Sequence, residues 1–160
     1  MKRELAGVAV VALLAACGGS SGMTRADYVK RANRVCHEAA TSVAALKLPD
    51  PSDVSTVPKA AKKIVEVQRD ALEQLKSIRP PKEDRPDIAK WIALIDQTID
   101  QAELSARSQQ EGDIKRAITA NVNGAALDAR ADELAKAFGL KTCVQAAAPP
   151  QASGPLASRP

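Results

Sequence analysis

The amino-acid sequence predicts an all-α protein, namely a single four-helix up-down-up-down bundle with one disulfide. Apolar residues recur every three or four positions along four segments, as in amphipathic helices, and no segment alternates as a half-buried strand would. Proline and glycine separate the four segments, and most of the connections are short. Short connections place consecutive helices side by side and antiparallel, so a four-helix bundle buries all four apolar faces.

The first predicted helix begins after Thr24, a residue type that caps helix N-termini, with Asp27 as its capping-box partner three residues later. It ends at the proline-rich segment 48–51. The second begins at Ser55 or Thr56, has a proline in its first turn, and ends at residues 79–81. The core residues predicted for these two helices are Tyr28, Ala32, Val35, Cys36, Ala39, Val43, Leu46, Ala61, Ile64, Ala71, Leu72, Leu75 and Ile78.

The third predicted helix begins near Asp84 with Pro86 in its first turn, and the segment Glu111-Gly112-Asp113 separates it from the fourth, which ends at Gly139. The core residues predicted for these helices are Ile88, Trp91, Ile92, Ile95, Ile99, Ala102, Ala106, Ala117, Ala120, Gly124, Leu127, Ala131, Leu134 and Phe138. The alanines and the glycine of the fourth helix predict a close approach to its neighbour. A close approach favours a tightly packed core over a roomy cavity.

The N-terminus has the order of a secretory signal. Lys2 and Arg3 precede an apolar and small-residue run from Leu5 to Ala16, and Cys17 follows with a Gly/Ser segment. As a helix this run would be about 18 Å long, against roughly 30 Å of membrane hydrocarbon. It is therefore too short for a comfortable permanent span.

The residues Leu14-Ala15-Ala16-Cys17 resemble the lipobox of bacterial lipoprotein precursors. The resemblance implies that Cys17 receives diacylglycerol, that the chain is cut before it, and that the protein is held at the extracytoplasmic face of the cell membrane. Cleavage by ordinary signal peptidase and a retained signal remain alternatives, although Leu14 does not suit the ordinary enzyme. The predicted segments are a signal peptide (1–16), a lipidated cysteine with its tether (17–23), a helical domain (24–144) and a disordered Pro/Ala-rich tail (145–160).

With Cys17 lipidated, Cys36 and Cys143 are the remaining cysteines of the chain. Two thiols in one small exported domain usually pair, so we predict a Cys36–Cys143 disulfide. A redox-active pair is the alternative, which the absence of a C-x-x-C spacing disfavours.

Four basic residues lie within the eleven positions that follow the tether: Arg25, Lys30, Arg31 and Arg34. One hypothesis is that they contact anionic headgroups at the membrane surface. The alternative is an ordinary solvated helix face, in which Asp27 pairs with Arg31 and Glu38 with Arg34 at i,i+4 spacing.

Other residues give little sign of chemistry. The chain from Cys17 onward has a net charge of +3 and only three aromatic residues, so we expect no nucleic-acid partner. His37 is the sole histidine and is expected to be exposed. Asp96, Asp100 and Glu103 share one side of the third helix, where they suit either a Ca²⁺ or acid/base site or a solvated acidic stripe. We therefore predict no catalytic residues, no metal and no cofactor.

Two stretches, Tyr28 to Cys36 and Phe138 to Cys143, resemble small helical lipoproteins of high-GC Gram-positive bacteria, and that resemblance implies only compartment and fold. The expected function is a non-enzymatic module that binds an envelope or extracellular protein through a helical face. The alternative is a carrier of a small apolar ligand or lipid in the bundle core. An exposed apolar patch over a solid core would favour the module, and an internal cavity would favour the carrier.

Overall fold

The computed structural model describes residues 23–46 and 57–147. The predicted signal peptide, Cys17 with residues 18–22, and residues 148–160 of the predicted tail lie outside them. The described residues form helices and no strand, which confirms the predicted four-helix bundle with one disulfide. The elements are α1 (Arg25–Ala45), α2 (Val57–Ser77), a 3₁₀ turn (Lys82–Asp84), α3 (Arg85–Gln110), α4 (Ile114–Phe138) and a short α5 (Lys141–Ala147).

Contacts between the long helices establish their directions. The first half of α1 faces the end of α2, the middle of α2 contacts Asp96 to Glu103 of α3, and α3 packs along the whole of α4 after a tight turn. The helices therefore alternate in direction. The backbone of α1 hardly approaches that of α4, because α1 packs on α2 and α5 instead.

The predicted starts of α1, α3 and α4 and the predicted end of α4 are confirmed, because local chemistry determines them. The predicted end of the first helix at residues 48–51 and the predicted start of the second at Ser55 or Thr56 lie outside the described residues. The hydroxyl of Thr24 accepts a hydrogen bond from the backbone N–H of Asp27 (3.1 Å), and the carboxylate of Asp113 accepts one from that of Arg116 (3.0 Å). Gly139 follows α4 with φ +80°, a left-handed conformation that costs glycine little. Asp84 precedes α3 without capping it, because its side chain has another partner.

That partner is Arg25, the first residue of α1. The Nε of Arg25 donates a hydrogen bond to one carboxylate oxygen of Asp84 (2.9 Å), and a second guanidinium nitrogen donates to the other oxygen of Asp84. The same guanidinium lies 5.1 Å from the centre of the Phe138 ring. The Asp84 side chain is buried, and its hydrogen bonds with Arg25 lower the pKa of its carboxyl below the usual range. This ion pair joins the starts of α1 and α3 beside the end of α4.

The chain after α4 forms a short helix that the sequence pattern does not predict. Leu140 is fully buried, and α5 then runs along α1. Asn33 holds this segment by donating to the carbonyl of Gly139 (3.3 Å) and accepting from the backbone N–H of Thr142 (3.0 Å). The helix extends to Ala147, three residues beyond the predicted domain end at residue 144.

The predicted Cys36–Cys143 disulfide is present and joins α1 to α5, with 5.0 Å between the two Cα atoms. Around it lies one core cluster, and Val65, Leu72 and Ile99 form a second between α2 and α3. Val65 was not among the predicted core residues. Trp91 and Tyr28 are the largest fully buried side chains, and the core residues near the disulfide are Tyr28, Ala32, Cys36, Leu75, Ile88, Trp91, Ala131, Ala135, Leu140 and Cys143.

Candidate functional site

The first half of α4 carries an exposed apolar surface. Ile114, Ile118 and Val122 follow one another at intervals of four residues, so they lie on one side of the helix. Their exposed fractions are 58%, 58% and 64%, respectively. We call these three residues the α4 stripe.

The α4 stripe is exposed because α4 buries a different side. Its contact with α3 uses small residues, among them Ala117, Ala120 and Gly124, and the Cβ of Gln101 lies 3.4 Å from where a Cβ on Gly124 would be. Ile118 is one residue after Ala117 and therefore points about 100° away from that contact. Since α1 hardly approaches α4, nothing in the described part of the chain covers the stripe. The signal in the sequence was a set of large apolar residues beside a small-residue seam.

Two acidic residues lie further along α4, Asp132 on the side of the stripe and Asp128 on the side of Ala117. Asp132 is 18 residues, or five helical turns, beyond Ile114, and Asp128 lies one turn before it. Burial raises the pKa of Asp128 to about 6, and the charge of Asp132 adds to the shift. Burial also raises the pKa of Asp132, which Lys136 partly opposes. The second half of α4 thus carries a part-buried acidic pair beyond the stripe.

Asp128→Asn is expected to stabilise the fold at neutral pH by about 1–3 kcal/mol, because ionising Asp128 costs more in the folded than in the unfolded chain. Its folded pKa is raised, so this cost is absent below pH 3.8, grows as the pH rises, and is complete above about 6. Urea unfolding at pH 3.5 and pH 7.5 measures the difference, with Glu133→Gln as an exposed control. An equal effect of Asp128→Asn at both pH values would contradict this prediction.

The three carboxylates predicted as a stripe on α3 converge on one cation. Arg69 of α2 is hydrogen-bonded to Asp96, to Asp100 and, at 2.9 Å, to Glu103. Burial alone would raise the pKa of Asp96, but hydrogen bonds from Lys76 and Arg69 bring it below the usual range. Because Arg69 occupies all three carboxylates, this cluster links α2 to α3. Among the described residues, no group of three His, Cys, Asp or Glu is arranged to hold a metal ion.

Arg69→Met is expected to destabilise the protein by about 1–2 kcal/mol at pH 7, because three neighbouring carboxylates lose their shared cation. Part of the loss should disappear at pH 2.5, because the stability that Asp96 gains from Arg69 is lost as the pH falls through the lowered pKa of Asp96. Urea unfolding at both pH values provides the measurement. Arg107→Met, which removes an exposed cation from α3, is the matched control and should change stability little. A pH-independent loss would show that Arg69 acts through packing alone.

The structure separates the four basic residues predicted for the membrane surface. Arg25 forms an ion pair with Asp84, whereas Lys30, Arg31 and Arg34 make no ion pair within the described residues. The predicted pairs of Arg31 with Asp27 and of Arg34 with Glu38 do not form. Asp27 is instead the hydrogen-bond partner of Thr24, and His37 is exposed as predicted.

Arg31 and Arg34 line a groove of about 480 Å³ between α1 and α2. We call it the basic groove, and its lining residues are Arg31, Arg34, Val35, Glu38, Gln74, Ser77 and Ile78. A second depression of about 320 Å³ lies between α3 and α4, lined by Gln101, Asn123, Ala126, Leu127 and Arg130. Both are open at the surface, and Trp91, Tyr28, Leu72 and Leu140 fill the interior. The carrier alternative therefore remains a prediction without a cavity among these residues to support it.

None of the described helices has the length and apolar content needed to cross a membrane. Comparisons with protein-family models, with curated proteins and with solved structures find no match to this chain.

Proposed function

We propose that this protein is a lipoprotein anchored through Cys17 at the extracytoplasmic face of the membrane, and that it acts without catalysis as a binding module. In this proposal the α4 stripe contacts an envelope or extracellular protein. The lipid holds the domain near the bilayer and leaves the far half of the bundle free to meet its partner.

The main support for this proposal is that the α4 stripe is exposed while the core of the bundle is filled. Single exposed apolar residues are common, but three in succession on one helix face present the anchors of helix-in-groove recognition. Fully burying a valine or isoleucine side chain gains about 1.5–3 kcal/mol. Each stripe residue is more than half exposed, so a partner covering all three would gain several kcal/mol.

The distribution of charge supports the orientation. The half of the bundle next to the tether (residues 23–34, 68–94 and 129–144) has 13 Lys and Arg against 8 Asp and Glu. The other described half (35–46, 57–67 and 95–128) has 6 against 8 and contains the α4 stripe. Net charges of +5 and −2 favour the tether half facing an anionic surface, which directs the stripe away from it.

A photo-crosslinking amino acid at Ala125, on the same side of α4 as the stripe, tests the partner in intact cells. We expect a defined adduct that disappears when Ile114, Ile118 and Val122 are all changed to Gln, with little loss of stability because these residues are exposed. The same crosslinker at Ala137, exposed on another side of α4, is the matched control. Identical adducts from both positions, or adducts unaffected by the triple change, would argue against the stripe as a binding surface.

Metabolic labelling with a clickable fatty acid tests the anchor separately. The wild-type chain should be labelled and recovered with membranes, because the proposed lipid is attached to Cys17. The Cys17→Ser chain should be unlabelled. Labelling that survives this substitution would exclude Cys17 as the site of attachment.

A further inference from the structure

The basic groove combines features that match one class of ligand. We infer that it binds the headgroup of an anionic phospholipid, with the phosphate on Arg31 and Arg34 and the first apolar atoms of the lipid on Val35 and Ile78. The groove is formed by α1 and α2 and is distinct from the α4 stripe.

Two guanidinium groups provide the anion site. Arg31 and Arg34 are three residues apart, so they project from the same side of α1, and both are exposed. Neither has a carboxylate partner within the described residues, unlike Arg25 and Arg69. Glu38 also lines the groove and is its one acidic member, against two arginines. Arginine suits phosphate because its planar fork donates two parallel hydrogen bonds.

The opposite wall and the floor favour a lipid over a free anion. Gln74 and Ser77 of α2 contribute polar side chains to the groove. The Ser77 hydroxyl donates to the backbone carbonyl of Gln74 (2.6 Å), so the Ser77 hydroxyl oxygen can still accept a hydrogen bond from a ligand. Val35 and Ile78 are part-buried and pack against the main core cluster. An apolar floor below two cations suits a ligand that has an anionic end and an apolar end.

The groove also lies where a membrane lipid would meet it. Arg31 is seven residues after Thr24, or about 10 Å along α1 from the start of the domain. This placement rests on the proposed anchor at Cys17, which is seven residues before Thr24. Binding of the headgroup itself does not need the anchor, so the two can fail separately.

The test uses the full chain with Cys17→Ser in uncharged detergent, with isotope-labelled valine and isoleucine methyl groups observed by NMR. Short-chain dihexanoyl phosphatidylglycerol should shift the methyl signals of Val35 and Ile78 saturably, and those of Val65 and Ile99 in the other core cluster should stay in place. Dihexanoyl phosphatidylcholine has the same chains and no net charge, and inorganic phosphate has the charge and no chains. Each should bind at least tenfold more weakly than the anionic lipid.

The double variant Arg31→Gln/Arg34→Gln should weaken binding of the anionic lipid at least tenfold. Lys62→Gln/Lys63→Gln removes the same charge from exposed positions of α2 outside the groove and should change binding less than twofold. Equal losses in the two double variants would overturn the groove in favour of general attraction to a basic protein. Equal binding of the two lipids would overturn the anionic headgroup, and equally tight binding of inorganic phosphate would overturn the lipid.

Discussion

Reduction of the Cys36–Cys143 disulfide is expected to lower the free energy of unfolding by about 4–5 kcal/mol. The bridge joins residues separated by 107 positions, so it removes much of the conformational freedom of the unfolded chain. It also fastens α5 to α1, where Leu140 and Cys143 complete the main core cluster. Urea unfolding with and without dithiothreitol measures the loss.

The control for this experiment is Cys36→Ala/Cys143→Ala, which should match the reduced wild type and should not respond to dithiothreitol. The Cys17→Ser chain should respond to the reductant as the wild type does, because the disulfide joins the other two cysteines. A reduced protein that lost less than about 1 kcal/mol would show that helix packing alone holds α5 in place.

Trp91→Ala is expected to destabilise the protein by about 3–5 kcal/mol. Trp91 is 1% exposed and lies in the cluster that joins the first half of α1 to α3, α4 and α5. Its removal leaves a cavity in addition to the loss of buried apolar surface. Urea unfolding followed by circular dichroism is the appropriate measurement, because the substitution removes the sole tryptophan of the chain.

Trp91→Phe keeps an aromatic ring and should lose clearly less stability than Trp91→Ala. The two variants also test the carrier alternative. If Trp91 fills a packed core, both substitutions should lower the stability of the protein. If Trp91→Ala left stability unchanged, the space around residue 91 would be available to a ligand, and the carrier would regain support.

Features fixed by neighbouring residues were predictable from the sequence. The cap at Thr24, the tight turn at Gly112 and the left-handed Gly139 each depend on a few adjacent residues, and the structure has all three. The disulfide was predictable for a different reason: the predicted lipidation of Cys17 leaves two cysteines, and two thiols in a small domain that is predicted to be exported usually pair. These features were sufficient to define four helices and their order.

Features that depend on contacts between distant residues were not predictable in the same way. α5 owes its position to Asn33, more than 100 residues earlier, and a short helix has little stability of its own. The acidic residues of α3 have the same spacing whether they are solvated or paired, and only the register of α2 brings Arg69 to them. The α4 stripe was missed because periodicity assigned one apolar side to α4, which in fact has two.

The disulfide also determines how the bundle would bear tension. If Cys17 is held in the membrane and a partner pulls on the α4 stripe, the load enters along α1 as far as Cys36. It then crosses the sulfur bridge to Cys143 and returns along α5 and α4 to the stripe. This route is covalent throughout and bypasses α2 and α3. In the reduced protein, the covalent route from Cys17 to the stripe would instead run along α1, α2 and α3 to the start of α4. No covalent bond would then join α1 to α5, so tension would act directly on the packing of α1 against α2 and α5.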